Sequence, residues 1–219
     1  MRATRIKLAT VMSVNPRAED GPAATRKRRS QAERSATTRR ALLDAGRSLF
    51  TERGFAAAGQ EEIVERAGVT RGALSHHFAT KQGLFLAVLQ DVQADVAGRI
   101  TRAALEGDDP MDGLRRGCLA FLDAVMDRSV GRIVLLDAPA VLGWQTWREI
   151  DAAHGLGLVI EGLDAVMDAG LVERQPVQPL AHLLLAALNE AALLVVNAAD
   201  PVAARAEVGV TVERLLSRL

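Results

Sequence analysis

The sequence predicts an all-α protein, with an N-terminal three-helix helix-turn-helix domain and a larger C-terminal helical domain. Apolar residues recur three or four positions apart along most of the chain, as on the buried face of a helix. The segments with this pattern begin at residues that cap helix N-termini and end at glycines, which adopt left-handed conformations at little cost. The caps are Thr70, Thr80, Asp109 and Asp200, and the glycines are Gly54, Gly68 and Gly170.

The length and cysteine content of the chain limit the classes of protein to which it can belong. Its 219 residues suffice for one large or two small domains with a hydrophobic core. The single cysteine, Cys118, cannot form an intrachain disulfide, which is typical of proteins in a reducing cytoplasm. We find no signal-peptide hydrophobic segment and expect no apolar run as long as a membrane span. The sequence therefore indicates a cytoplasmic protein that does not contact a membrane.

Charge is distributed unevenly along the chain, although the net charge is zero. Residues 1–80 contain 15 Lys and Arg against 8 Asp and Glu, a balance of +7. Residues 81–219 contain 12 against 19, a balance of −7. A basic front and an acidic rear indicate that only the front meets a polyanion, which favours nucleic acid over an acidic small substrate.

Residues 1–29 show no sustained apolar period, and we predict that they form a disordered basic arm. The basic run at residues 26–29 is either a solvated charge cluster or a source of additional phosphate contacts. Ser30 and Glu33 then have the S-x-x-E spacing of a capping box, which predicts the start of the first helix. An apolar stripe continues that helix until Gly54 ends it.

Residues 60–78 predict a short helix, a glycine turn and a second short helix. Gly68 supplies the left-handed residue after the first helix, and Thr70 caps the second. Leu74 and Phe78 point inward, which leaves a polar outer face on the second helix. This layout is that of a DNA-reading helix-turn-helix, and the alternative is an ordinary helical hairpin in a core. A long helix follows, from Lys81 to about residue 105.

A specific set of residues runs through this region: Gly54-Phe55, Ile63, Ala67-Gly68-Val69-Thr70, Gly72, Leu74, His77-Phe78, Lys81 and Leu84-Phe85. The set resembles the TetR family of bacterial transcriptional regulators, over roughly residues 36–90. The resemblance implies an all-helical homodimer with DNA-binding residues 30–80. It further implies that residues 81–219 bind a ligand and dimerise, with 81–105 as a connecting helix.

The resemblance assigns DNA contacts to the start and the outer face of the second short helix. Arg71 can pair with a guanine edge or hold a phosphate, and Gly72 permits close approach to DNA. His76 either reads a base edge or is solvated, and His77 is as well explained by packing. Two positions depart from the family pattern: Ser75 replaces an aromatic residue, and Ala58-Gly59 replaces a capping Thr/Ser pair. The candidates are Gln60, Thr70, Arg71, Gly72, Ser75, His76, His77 and Lys81.

The rear of the chain predicts a helix over about residues 111–127 and a short buried helix at residues 133–136, ending near Pro139. A long helix then contains both tryptophans and runs to Ala169. We predict an effector pocket here, with aromatic walls and polar anchors. The alternative is that each of these residues belongs to the core. The candidate residues are Asp137, Trp144, Trp147, His154 and Asn189.

The last two predicted helices, over residues 179–198 and 200–219, carry the prediction of a homodimer. The first is apolar almost all round, so that one side is left to pack outside its own domain. Two such helices from each protomer form a four-helix interface, and a buried interior helix is the alternative. The predicted interface residues are Leu184, Leu188, Ala191, Val195, Val212 and Leu215.

The resemblance thus implies a repressor that a small-molecule effector releases from a pseudo-palindromic DNA operator. A helical ligand-binding or scaffolding protein whose head has lost tight DNA contact is the alternative. We find no Gly-rich phosphate loop, no metal-ligand cluster and no activated serine or cysteine in the sequence. We therefore expect no enzymatic activity, no cofactor and no metal.

Overall fold

The computed structural model describes residues 22–219, with side chains described from Ser30 onward, and these residues contain helices but no strand. Two segments, π1 and π2, are π-helical. The elements in chain order are α1 Pro22–Ala57, α2 Gln60–Ala67, α3 Arg71–His77, α4 Lys81–Leu105, α5 Pro110–Ala124, α6 Arg128–Val130, π1 Gly131–Asp137, α7 Ala138–Leu142, α8 Trp144–Asp151, π2 Ala152–Leu156, α9 Gly157–Asp168, α10 Val177–Asn197 and α11 Pro201–Leu216.

The described chain falls into two compact units, one that ends at Thr37 and one from Thr38 to Leu219. In the first unit, helix α1 begins at Pro22, so the predicted start at Ser30 is wrong. Residues 23–29 contain no glycine or proline, and Pro22 is well suited to a first helical position. Ser30 therefore lies inside the helix, where its carbonyl accepts a hydrogen bond from Arg34 Nε at 3.1 Å. The predicted disordered arm covered residues 1–29: it is wrong for residues 22–29, which are helical, and residues 1–21 lie outside the described residues.

The second unit begins with the head, by which we mean residues 38–80. Its core is built around three aromatic rings, with centroids 5.2 Å apart for Phe50–Phe85 and Phe55–Phe85. Gly54 allows the chain to turn between Phe50 and Phe55, because its φ of 77° and ψ of 167° are accessible almost only to glycine. The predicted end of the first helix at Gly54 is confirmed as a break in helical geometry.

The turn residues of the helix-turn-helix are also confirmed. Gly68 adopts the left-handed conformation with φ of 63°. Thr70 Oγ1 accepts a hydrogen bond from Ala73 N at 3.2 Å. Gly59 caps α2 without a side chain, and Glu62 Oε2 compensates by accepting from Gly59 N at 3.2 Å. Helix α2 therefore forms despite the missing side-chain cap, as expected from glycine's tolerance at this position.

The rear domain, residues 81–219, packs α4, α9, α10 and α11 around helix α5. Pro139 does not end a helix as predicted, because it lies in the first turn of α7, where a missing N–H costs little. The preceding segment is π1 rather than an α-helix, and Leu136 within it is half exposed. The predicted helix after Trp144 is confirmed, with π2 interrupting it and Gly170 following at φ of 71°.

Helix α10 is the most apolar element of the rear domain. By length and composition it could cross a membrane, with a mean hydropathy of 1.8, so the expectation that no apolar run has this length is wrong. About half of this stretch, 44%, is buried inside the protein, as in the core helix of a soluble domain. Burial on one side therefore explains its composition without a membrane.

Gly54 provides a stability test of the head. A Cβ at this position would overlap the Arg132 guanidinium and would also strain the backbone. We expect Gly54→Ala to reduce the free energy of unfolding by about 1–3 kcal/mol, measured by chemical denaturation. The matched control is Gly157→Ala, a helical position where a Cβ meets nothing within 4 Å. Equal stabilities of the two variants would contradict the argument.

Candidate DNA interface and ligand cavity

Helix α3 presents a polar face to solvent because its apolar residues are held inside the head. Leu74 and Phe78 are buried, whereas Arg71, Gly72 and Ser75 are exposed. The first helical turn is fixed by the Thr70 cap and the preceding Gly68 turn. The outer face of α3 is therefore a rigid, accessible surface on a short helix, which is the geometry required to enter a DNA major groove.

Arg71 is the most accessible charge on this face, with 76% of its side chain exposed. Its Nη1 lies 3.7 Å from Glu61 Oε1, whose side chain is 87% exposed. Such an exposed pair contributes little to stability, so Arg71 can exchange Glu61 for a phosphate or a base. A Cβ on Gly72 would meet only Thr70 Oγ1, at 3.8 Å. The protein itself therefore does not require glycine there.

The remaining candidates on the head differ in their accessibility. Gln60 and His76 are exposed. His77 is half-buried, and its ring packs at 5.2 Å from His76 and 6.4 Å from Phe78, measured between ring centroids. This geometry favours the packing role that the sequence left open for His77.

Lys81 does not extend toward solvent as a phosphate-binding residue would. Its Nζ donates to the carbonyl oxygens of Phe55 at 2.8 Å and Ala58 at 3.0 Å, and lies 3.4 Å from that of Ala56. The ammonium also lies 4.4 Å from the centroid of the Phe55 ring. Lys81 therefore fastens the start of α4 to the end of α1. The predicted phosphate contact would require these bonds to break.

The positive charge of the front is not located in the helix-turn-helix. Residues 30–80 contain seven Arg against six Asp and Glu, whereas residues 1–29 contain eight Lys and Arg against two. Within the head, Arg53 pairs with Glu62 and Arg66 with Glu52. The pKa of the Glu52 carboxyl is lowered by its hydrogen bond with Arg66, so this pair stays charged at neutral pH. Any strong attraction for phosphate must therefore come mainly from residues 1–29.

The rear domain contains a cavity of about 340 Å³, within the size range of small-molecule sites. Residues of α4, α5, π2, α9 and α10 line it, together with Val130 of α6, Val134 of π1 and Asp151 of α8. Most of the lining is apolar, including Val96, Ile100 and Phe121. The cavity also contains the Cys118 thiol, whose pKa is raised to about 12 by burial, so that it remains neutral.

Besides the Cys118 thiol, three buried or half-buried polar side chains are among the lining residues: Gln93, Asp151 and His154. Gln93 and Asp151 are both buried, and burial raises the pKa of the Asp151 carboxyl. Of these three residues, only His154 was predicted from the sequence. A signal for Gln93 was present, because it stands four residues after Leu89 and three before Val96 on the buried stripe of α4.

The other four predicted effector residues do not line the cavity. Trp147 is core, and its Nε1 donates to Val134 O at 2.9 Å. Trp144 packs on Trp147 at 4.8 Å between ring centroids but is 65% exposed, facing solvent. Asn189 is buried behind the cavity wall, where Nδ2 donates to Asp151 Oδ2 at 2.7 Å. Trp147 is therefore explained by the core alternative, whereas Trp144 belongs neither to the core nor to the cavity lining.

Asp137 joins the rear domain to the head instead of anchoring a ligand. Its Oδ2 accepts from Phe55 N at 2.8 Å, and its Oδ1 accepts from Arg132 Nε at 3.3 Å. Asp137 ends π1, the segment whose Val134 lines the cavity. A single short segment thus contacts both the cavity and the first residue after the Gly54 break.

Most of the residues predicted for the dimer interface do not lie on an exposed surface. Leu184, Leu188, Ala191, Val195 and Val212 are buried inside the protomer, and only Leu215 is substantially exposed, at 47%. An apolar helix offers two possible faces, and the opposite face is the free one. The exposed apolar residues are Leu183, Ala186, Ala187 and Leu194 on α10 and Val202, Ala203, Ala206, Val210 and Leu215 on α11.

Comparison with protein-family models gives two matches. Residues 42–88 match the model described as bacterial regulatory proteins, tetR family. Residues 111–219 match the model described as tetracyclin repressor-like, C-terminal domain. A comparison with curated proteins finds no match.

Solved structures show the same architecture. A TetR-family transcriptional regulator from Pectobacterium atrosepticum is 33% identical, with a TM-score of 0.75 over 84% of this chain and 94% of its own. FadR from Bacillus subtilis, in complex with stearoyl-CoA, is 17% identical, with a TM-score of 0.67 over 81% and 96%. RolR, in complex with resorcinol, is 19% identical, with a TM-score of 0.64 over 84% and 89%. The last two show similarity of fold alone.

Proposed function

The chain belongs to the TetR family of DNA-binding transcriptional regulators, and on that premise we propose that it is a cytoplasmic repressor. In this proposal two heads bind a pseudo-palindromic operator, and a small-molecule effector in the rear cavity releases them. The observation that carries the proposal is the exposed polar face of α3 on a head whose apolar residues are buried. A scaffolding protein would not need that face to be kept polar and accessible.

The DNA site that we propose consists of Arg71, Gly72, Ser75 and His76 on α3, with Thr70 and Gln60 at the helix starts. Arg71 is the residue best placed to read a base, since its ion pair with Glu61 is long and exposed. Phosphate attraction would come from residues 1–29, which contain most of the positive charge of the front. In this proposal, base reading by α3 and phosphate binding by residues 1–29 are divided between two parts of the chain.

Arg71→Ala tests the DNA-reading role. Duplexes are selected from a random pool with the full-length protein, and footprinting on the selected site should show two-fold symmetric protection. We expect the variant to bind this site about 1–3 kcal/mol more weakly, measured by fluorescence anisotropy, because a base contact is lost. Arg128→Ala removes the same charge from an exposed position in the rear domain and is the control. Unchanged affinity in Arg71→Ala would remove Arg71 from the site.

We propose that the homodimer forms through the exposed apolar faces of α10 and α11. Leu183 and Leu194 are 70% and 58% exposed on α10, and Val202 is 70% exposed on α11. The two helices pack on one another, so that a two-fold axis beside them would build a four-helix interface. Burial of large aliphatic side chains is the driving force for such association.

Leu194→Glu tests this interface. We expect the variant to be monomeric at micromolar concentration by light scattering, because a carboxylate would be buried against an apolar surface. Leu171→Glu makes the same substitution at a 52% exposed position outside both helices and should leave the dimer intact. A dimeric Leu194→Glu protein would place the interface elsewhere.

We propose that π1 transmits occupancy of the cavity to the head. Val134 lines the cavity, and Asp137 holds the amide of Phe55, so that a displacement of one end of the segment reaches the other. A ligand can shift the equilibrium only if the two states differ in affinity for it, and a wall that moves supplies such a difference.

A double-mutant cycle tests this route without a ligand. Ala97→Phe places a ring in the cavity and should weaken DNA binding as an occupied site would. We expect this weakening to shrink when Asp137→Ala is also present, because the contact with Phe55 is gone, giving a coupling energy of about 0.5–3 kcal/mol. If Ala97→Phe weakens DNA binding equally in both backgrounds, transmission instead passes along α4.

A further inference from the structure

The cavity lining contains hydrogen-bonding groups that the protein leaves unused. Gln93 is 6% exposed, and its Oε1 has no hydrogen-bond partner among the described residues. Buried polar groups in folded proteins are nearly always hydrogen-bonded, and an exception marks a missing partner. The terminal amide can be turned to present either its oxygen or its nitrogen, so Gln93 can meet a donor or an acceptor on a ligand.

Asp151 is the second group of this kind. Asn189 Nδ2 donates to Asp151 Oδ2 at 2.7 Å, whereas Oδ1 has no hydrogen bond within the part of the chain that the structure describes. Arg148 lies near enough to favour the charged form of the carboxyl, but neither Arg148 nor His154 is hydrogen-bonded to it. A buried carboxylate without a paired cation is costly, so a donor in the cavity would stabilise it.

His154 is an acceptor when it is neutral. Its Nδ1 lies 3.0 Å from Ile150 O, and because a carbonyl oxygen can only accept, Nδ1 carries the proton. The second ring nitrogen, Nε2, then has a free lone pair. The Asp151 carboxylate and a neutral His154 can therefore both accept a hydrogen bond from a donor on the ligand.

The charge of the lining disfavours an anionic ligand. Asp151 and the exposed Glu161 are acidic, and among the described side chains no lysine or arginine lines the cavity. A ligand carboxylate or phosphate would meet like charge with no cation to compensate it. The other polar lining groups, Thr101 and the neutral Cys118 thiol, supply no positive charge.

We propose that the cavity binds a compact, largely apolar molecule that carries a hydroxyl or amine as a hydrogen-bond donor. The donor group lies against Asp151 and His154, Gln93 offers a further hydrogen-bonding group in the same cavity, and the apolar body fills the space lined by Val96, Ile100 and neighbouring residues. The volume of about 340 Å³ suits a ligand at the small end of the usual range. This inference rests on the proposed role of the cavity as the effector site.

The test uses four probes with one naphthalene body: 2-naphthylmethanol, 2-naphthylmethylamine, 2-naphthoate and 2-methylnaphthalene. Binding to the full-length protein is measured by calorimetry without DNA, so the result is independent of operator binding. We expect the alcohol or the amine to bind at least about 10-fold more tightly than the hydrocarbon and the carboxylate, because a buried donor satisfies the unused acceptors. Which of the two binds better distinguishes a neutral from a cationic donor.

Variants assign the preference to particular groups. Asp151→Asn keeps the shape of the side chain and should reduce the preference for the amine over the hydrocarbon by about 10-fold. Gln93→Met should reduce the preference for the alcohol, and Ala97→Phe should abolish binding of all four probes. Glu149→Gln removes a nearby carboxylate that is exposed and does not line the cavity, and should change nothing.

Two results would overturn the inference. One is tighter binding of 2-naphthoate or 2-methylnaphthalene than of the alcohol and the amine. The other is an unchanged order of affinities in both Asp151→Asn and Gln93→Met, with binding still lost in Ala97→Phe. If the donor preference is found but the protein binds no DNA, the ligand chemistry stands and the repressor proposal fails.

Discussion

The fastening of Lys81 to the end of α1 is the interaction on which the arrangement of the head depends. One ammonium group satisfies carbonyl oxygens at Phe55 and Ala58 that a helix end leaves without partners, and it also lies over the Phe55 ring. It thereby fixes where α4 starts relative to the helix-turn-helix. Since α4 continues into the rear domain and forms part of the cavity wall, both sites are positioned from this point.

Binding sites commonly combine an apolar lining with a few polar groups that have no partner in the protein, and among the described residues this cavity has both. A protein selected only for stability would replace Gln93 with an apolar residue, which would complete the stripe formed by Leu89 and Val96. Leaving an amide and a carboxyl without full hydrogen bonding lowers stability but creates a place where only a complementary ligand is bound well. The same reasoning explains why this amide lies where the lining is otherwise apolar.

The sequence predicts local features of this protein well and non-local ones poorly. Gly68 and Thr70 act through backbone groups within three or four residues, so their turn and cap could be predicted directly. Lys81 Nζ donates a hydrogen bond to a carbonyl oxygen 26 residues earlier, and no rule of sequence spacing predicts such a contact. Burial of Leu188 and exposure of Leu194 likewise depend on which face of α10 meets its neighbours. A uniformly apolar helix gives no signal that distinguishes the two faces.

The π-helical segment π1 has a consequence for how motion can cross this molecule. Its hydrogen bonds join residues five apart, as from Ala138 N to Ile133 O, instead of the four of an α-helix. A segment wound in this way stores one surplus residue relative to an α-helix. Expelling that residue would rewind the segment and swing Asp137 around the helix axis while Val134 stayed in place. A discrete register step, rather than gradual bending, would then separate the two states of the regulator.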